Sequence, residues 1–151
     1  MILADADQGF PDPETRKEFY AGVARKRLFA FIIDTILILI ITVMVIPFTA
    51  FTALFFLGSI CLFVSVAYRP LSLASISATP GMRLNGIECR THLGERLSFG
   101  SALAHTLLFS ASISMGLPQL ISVMMIVFSR RARGLNEHVM GSVVVNSSAL
   151  K

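Results

Sequence analysis

The sequence predicts an all-α membrane protein, a polytopic helical bundle with four transmembrane helices (alternatively three) and a small cytoplasmic β-hairpin element. Hydrophobic residues make up 54% of the 151 residues and charged residues only 15%, whereas soluble domains carry about 25% charged residues. Residues 35–68 and 97–129 contain no Asp, Glu, Lys or Arg, and each stretch exceeds the roughly 20 residues of one helical crossing. We therefore expect one membrane domain over residues 21–146, an N-terminal segment over residues 1–20 and a tail over residues 147–151.

The basic residues indicate how the chain is oriented. The net charge of +4 is compatible with nucleic-acid binding, but the arginines and lysines flank the apolar stretches instead of forming one basic patch. Clusters in such positions are typical of cytoplasmic flanks that contact anionic lipid head groups. The pattern predicts cytoplasmic termini, a lipid bilayer as the surroundings and no nucleic-acid partner.

The first half of the chain divides at its prolines. Residues 1–12 are expected to be flexible, and Pro13 favours a short amphipathic helix running towards Lys26. The first transmembrane helix is predicted over residues 28–46 and ends before Pro47. The second, over residues 48–68, follows an uncharged link and ends at Arg69-Pro70.

Residues 69–97 are predicted to form a cytoplasmic loop in two parts. Residues 71–78 are apolar but too short to span, so we expect them at the membrane interface. The glycines and alternating residues of 82–99 favour a β-hairpin that turns near residues 92–94, because Gly94 adopts positive φ at little cost. Residues 143–145 are expected to form a short strand beside this hairpin.

The last apolar stretch permits two interpretations. A helix over residues 98–115 is followed by Gly116-Leu117-Pro118 and a second apolar run over residues 118–129. One long span would place the arginines of residues 130–133 outside, against the charge bias, whereas two short helices return them to the cytoplasm. The second interpretation gives four crossings and the first gives three.

Asp34 is the first candidate functional residue because it is the only charge within residues 28–46. A carboxylate at the centre of a membrane helix costs roughly 2.5–3.5 kcal/mol on insertion scales. Arg27 lies on the same helical face, but about 10 Å away along the axis, so a direct bridge to Asp34 is not expected. His105, Arg83 and Arg133 are the candidate partners from other segments.

Together these residues predict a proton or ion site composed of Asp34, His105 and Glu137, with supporting charge from Arg27, Arg83 and Arg133. Intramembrane ionisable residues often mark such a path. The structural alternative is equally open for Asp34, since a buried carboxylate also fixes helix register, and it is favoured for His105. The arginines of residues 130–133 are followed by Glu137 and His138, a cluster suited to gating a pathway or to joining the cytoplasmic face by ion pairs. Topology and lipid attraction are the favoured explanation of these arginines. The chain has no motif of a hydrolase, phosphate loop or metal site, so we expect no enzymatic activity, no cofactor and no metal.

Three segments resemble one known family in the order in which that family carries them. Residues 27–34 (RLFAFIID) resemble the opening signature of the RDD family of bacterial membrane proteins, named for one arginine and two aspartates. Residues 79–87 (TPGMRLNGI) are similar to its second block, and residues 134–145 (GLNEHVMGSVVV) to its closing block. Glu137 stands where the family has its second aspartate, Met82 where a basic residue is common and Ser142 where the family has threonine.

The resemblance implies a multi-pass protein of the bacterial inner membrane, in a family for which transport of ions or small ligands has been suspected. Our leading hypothesis is proton-coupled transport of a small cation or ligand, with Asp34 as the carrier and Glu137 at the cytoplasmic mouth. The alternative is a non-transporting adaptor or scaffold that binds a partner membrane protein. A chain this small is expected to form a homo-oligomer, or to join another membrane protein, before it encloses a path.

Overall fold

The computed structural model describes residues 10–49 and 52–150, and its first long helix, α1, spans Val23–Val45. Its buried residues include Ala30, Asp34, Ile38 and Thr42, at intervals of four. Such spacing places them on one helical face. The helix therefore turns a narrow, partly polar face inwards while its remaining apolar side chains, such as Leu28 and Ile36, are exposed.

Helix α2 spans Leu57–Ile76 and both begins and ends later than the helix predicted over residues 48–68. The expected end at Arg69-Pro70 was wrong, because Pro70 is buried inside the helix, and residues 71–76 continue it instead of forming a separate interfacial segment. Proline removes one backbone hydrogen bond, a loss that helices of membrane proteins tolerate. The helix ends at Ser77, which adopts a left-handed φ of 58° and donates its N–H to the carbonyl of Leu73 at 3.0 Å.

Helices α4 (Phe99–Met115) and α5 (Leu117–Phe128) confirm the predicted break at Gly116. Gly116 has a φ of 74°, which glycine adopts readily, and the two axes meet at a bend of 112°. By length and composition, two helices in the described part of the chain can each cross a membrane, and a third span exists if the bent pair forms one. The predicted count of four crossings is not confirmed.

The β element is a two-stranded antiparallel sheet formed by β1 (Ile87–Thr91) and β2 (Ser142–Asn146). The predicted local hairpin is not confirmed. Residues 91–95 do turn, with the N–H of Gly94 donating to the carbonyl of Thr91 at 2.9 Å, but β1 pairs with the C-terminal strand. The reason is burial: all five residues of β2 are buried, and pairing with β1 satisfies their backbone groups.

Two short helices complete the polar end of the bundle. Helix α3 spans Pro80–Leu84, and the side chain of Thr79 caps it by accepting a hydrogen bond from the N–H of Met82 at 3.3 Å. Helix α6 spans Leu135–Met140. Together with the sheet, these helices enclose a small apolar core in which Val23, Ile87, Cys89 and Val144 are buried.

The N-terminal segment does not form the amphipathic helix predicted from Pro13. A short 3-10 helix, Lys17–Phe19, is followed by Gly22, whose φ of 69° separates it from α1. Phe10, Phe19 and Tyr20 instead pack against β2. The flexibility predicted for residues 1–12 falls mostly on residues 1–9, which lie outside the described residues.

Candidate functional site

Asp34 is buried in the bundle, 2% exposed, and three donors hold its carboxylate. The hydroxyl of Tyr68 on α2 donates to Oδ1 at 2.9 Å, and the backbone N–H of Gly81 donates to the same atom at 2.9 Å. The hydroxyl of Thr79 donates to Oδ2. A buried carboxylate requires such partners, and here they join α1 to α2 and α3.

Gly81 is the residue that allows α3 to approach α1 so closely. A Cβ atom on Gly81 would overlap the backbone carbonyl of Ala30 and lie 2.8 Å from Oδ1 of Asp34. Pro80 is the first residue of α3. A backbone N–H at this position would have no partner within the helix, so the N–H that proline lacks costs no hydrogen bond. The Thr79-Pro80-Gly81 segment therefore binds Asp34. The hydroxyl of Thr79 and the N–H of Gly81 donate to the carboxylate, and the absence of a side chain on Gly81 leaves room for the contact.

Glu137, also 2% exposed, forms a second polar centre with the start of α1. Nη2 of Arg27 lies 2.5 Å from its Oε1, and Nη1 of Arg27 donates to the carbonyl of Ala132 at 3.1 Å. Oε2 accepts the N–H of Gly134 at 2.8 Å, which caps α6. Burial acts to raise the pKa of Glu137, but the guanidinium of Arg27 and the ring of His105 outweigh it and hold the pKa well below its usual range.

His105 on α4 connects Glu137 to the open space beside it. Its Nε2 lies 3.4 Å from Oε1 of Glu137, within ion-pair distance but without hydrogen-bond geometry. Nε2 is buried, and among the described residues no hydrogen-bond partner reaches it. The ring is therefore close to a carboxylate and also lines the unfilled space beside it.

That space is a cavity of about 110 Å³ between the two carboxylates. Its charged and titratable lining residues are Arg27, Asp34, Arg69, Cys89, His105 and Glu137, and its other lining includes amides, hydroxyls and apolar side chains. A cavity of this size with several polar groups in its wall has room for a few water molecules. Asp34 and Glu137 thus line one cavity, although about a hundred residues of sequence separate them.

Arg69 is a lining residue that the sequence interpretation missed, having treated it only as the end of a helix. Its guanidinium lies 4.5 Å from the centre of the Phe109 ring, an arrangement that stabilises a cation. Its Nε is buried and has no hydrogen-bond partner in the described part of the chain. The apolar residues 71–76 that follow Pro70 were the available signal that the helix continued beyond it.

The remaining predicted site residues lie apart from Asp34. Arg83 is exposed and lines a separate groove with Glu88, Arg90 and Arg96. Arg133 is buried and donates to the backbone carbonyls of Ser142 at 3.1 Å and Glu137 at 2.9 Å. Neither is a partner of Asp34, so the partners proposed for it from sequence were not the ones that bind it.

The supporting charges hold the polar end of the bundle together. Arg133 links α6 to β2 through the two carbonyls, and burial lowers the pKa of its guanidinium. Lys26 donates to Oδ1 of Asn146 at 2.6 Å, which ties α1 to the end of β2. Among the described residues, no group of three or more His, Cys, Asp or Glu side chains is arranged to hold a metal ion.

Comparison with known proteins gives one result. A family model described as the RDD family matches residues 20–138, which includes Arg27, Asp34 and Glu137 and covers more than half of the chain. No curated protein and no solved structure matches the sequence.

Proposed function

The chain belongs to the RDD family of membrane proteins, and from that premise we propose that it couples the movement of a small cation to protons. In this proposal it is a non-enzymatic, multi-pass protein of the bacterial inner membrane with both termini in the cytoplasm. The observation that carries the proposal is the cavity bounded by two buried carboxylates, with His105 beside one of them.

The chemistry around Asp34 supports this role. Tyr68 and Thr79 now donate to the carboxylate through hydroxyl groups, and a hydroxyl oxygen also has lone pairs. Rotation of these hydroxyls would present oxygen atoms, together with the carboxylate, to an entering cation. Protonation of Asp34 would remove the charge that attracts the cation, so proton and cation would compete for one site.

His105 and Glu137 provide the second part of the proposed path. Each imidazole nitrogen can carry a proton, and the ring of His105 faces both Glu137 and the cavity. Arg27 would keep Glu137 ionised and in place. A chain of 151 residues is small for a transporter, and we propose that a second copy or another membrane protein completes the path.

The test is proton flux in proteoliposomes that contain a pH-sensitive dye, under imposed gradients of sodium, potassium or lithium. We expect cation-dependent proton movement for the wild type and at least a tenfold loss for Asp34→Asn. Glu88→Gln is the matched control, because Glu88 is paired with Arg90 outside the cavity, and it should retain wild-type flux. No flux from folded wild type would refute transport of these cations.

A non-transporting adaptor is the second candidate, and a specific observation favours it. Both carboxylates are saturated with donors that join separate elements: Asp34 joins α1 to α2 and α3, and Glu137 joins α1 to α6. Residues used only for assembly would show this pattern. The adaptor hypothesis predicts that the protein has no intrinsic flux and co-purifies with a specific membrane protein. Variants should lose this co-purification only when they no longer fold.

A further inference from the structure

We infer that Arg69, together with His105, forms a binding subsite for a small monovalent anion in the cavity between α1, α2, α4 and α5. The inference goes beyond the proposed cation exchange and does not depend on it. It begins from the charge of Arg69, which lies in the interior of a helix that is long and apolar enough to cross a membrane.

The charge of Arg69 has little direct compensation. None of the ion pairs in the described part of the chain includes it. The ring of Phe109 contacts one face of the guanidinium, and the negative charge of Asp34 acts on it from a distance. Arg69 is partly exposed and its Nε is buried. A charge withdrawn from water without a hydrogen-bonded counterpart is costly, and an anion accepting from the guanidinium would supply that counterpart.

The two carboxylates do not serve as this counterpart, since both are already occupied. Asp34 accepts from Tyr68, Thr79 and Gly81, and Glu137 is paired with Arg27. The arginine and carboxylate side chains that line the cavity are two of each, Arg27 and Arg69 with Asp34 and Glu137. Because the carboxylate oxygens are directed at their donors, the N–H groups of Arg69 are the positive groups left for a ligand.

Two further polar groups reach the same space. Nε2 of His105 is buried and makes no hydrogen bond among the described residues, although it lies 3.4 Å from Oε1 of Glu137; as a donor to the cavity it would bind an anion together with Arg69. The Oε1 atom of Gln119 is also buried without a partner there. Since the oxygen and nitrogen of an amide are assigned from their neighbours and not observed directly, a 180° rotation would present an NH₂ donor at that position.

The cavity limits the size of the anion. A volume of about 110 Å³ accommodates a halide or a small carboxylate, whereas burying the hydroxyl groups of an anion such as gluconate in this space would cost more. The apolar lining, which includes Phe31, Leu73 and Ile126, favours a weakly hydrated monovalent anion over a multiply charged one, because desolvating a higher charge costs more.

The test uses the whole chain purified in a non-ionic detergent. Chloride-35 NMR line broadening and the thermal unfolding midpoint are measured as chloride replaces gluconate at constant sodium concentration. We expect saturable broadening that formate displaces and a rise in the unfolding midpoint for the wild type. Arg69→Gln should weaken the chloride affinity at least tenfold. Arg83→Gln is the control, since Arg83 is exposed outside the cavity, and it should bind as the wild type does.

Arg69→Lys keeps the charge and tests the proposal if Arg69→Gln does not fold. It should retain chloride binding at reduced affinity. The proposal is overturned if wild type shows no saturable chloride effect, if Arg69→Gln binds chloride as tightly as wild type, or if only added anionic phospholipid shifts the midpoint. Proton flux plays no part in these measurements, so their failure leaves the proposed transport function unaffected.

Discussion

Replacing Gly81 with alanine should destabilise the protein by about 3–5 kcal/mol. The added Cβ would overlap the carbonyl of Ala30 and lie 2.8 Å from Oδ1 of Asp34. The Ala30 carbonyl belongs to the backbone of α1 and has little freedom to move. Overpacking of this kind costs about 1–3 kcal/mol, and separating α3 from α1 also loses the hydrogen bond from the Gly81 N–H to a charged group, about 1.5–3 kcal/mol.

The assay for Gly81→Ala is equilibrium unfolding in mixed detergent micelles, followed by circular dichroism. Gly100→Ala is the matched control, because a Cβ on Gly100 in helix α4 meets no atom within 4 Å. Alanine has a higher helix propensity than glycine, so this variant should be as stable as wild type or slightly more stable. Single substitutions typically cost about 1 kcal/mol. If the unfolding free energy of Gly81→Ala lies within about 0.5 kcal/mol of the wild-type value, the close contact does not govern how α3 docks.

Three further predictions concern the polar end of the bundle. Arg27→Met and Glu137→Gln should each cost about 3–5 kcal/mol, as for a broken buried pair, and the double variant should cost less than their sum. Because folding lowers the pKa of Glu137, its stabilisation should be complete above the unfolded value of about 4.3 and be lost as pH falls below that value. Val144→Cys in a Cys61→Ser background should form a disulfide with Cys89, since the register places the two residues directly opposite and such pairs have suitable Cα separations.

Each of these predictions has its own measurement. A double-mutant cycle on unfolding free energies tests the first, and simple additivity would mean that Arg27 and Glu137 do not interact. Unfolding of wild type and Glu137→Gln across pH 3 to 7, a range set by the unfolded carboxylate pKa of about 4.3, tests the second. Equal acid sensitivity of the two proteins would contradict it. Intact mass before and after reduction, following copper-catalysed oxidation, tests the third, and failure to cross-link would argue against the sheet.

Much of the helical framework was predictable from the sequence. The charge-free apolar runs and the Gly116-Leu117-Pro118 interruption placed most ends of α1, α4 and α5 within a few residues of their observed positions. The length of an apolar run and a glycine–proline break are both local properties of the sequence, so they can be recognised without the tertiary structure. The three family blocks gave the family, which the match over residues 20–138 confirms. The end of α2 was not predictable in this way, since whether a helix continues through Pro70 depends on what packs around it.

The sequence by itself identified Arg27, Asp34 and Glu137 as residues of interest, because a charge in or beside an apolar segment is costly wherever the chain folds. The tertiary structure decided their partners. Asp34 binds Tyr68, Thr79 and Gly81, whereas Arg27 binds Glu137 across 110 residues of sequence. It also placed β1 beside β2 and Arg69 beside the cavity. These pairings depend on which buried groups come together in the folded chain. The spacing of residues along the sequence does not specify those partners.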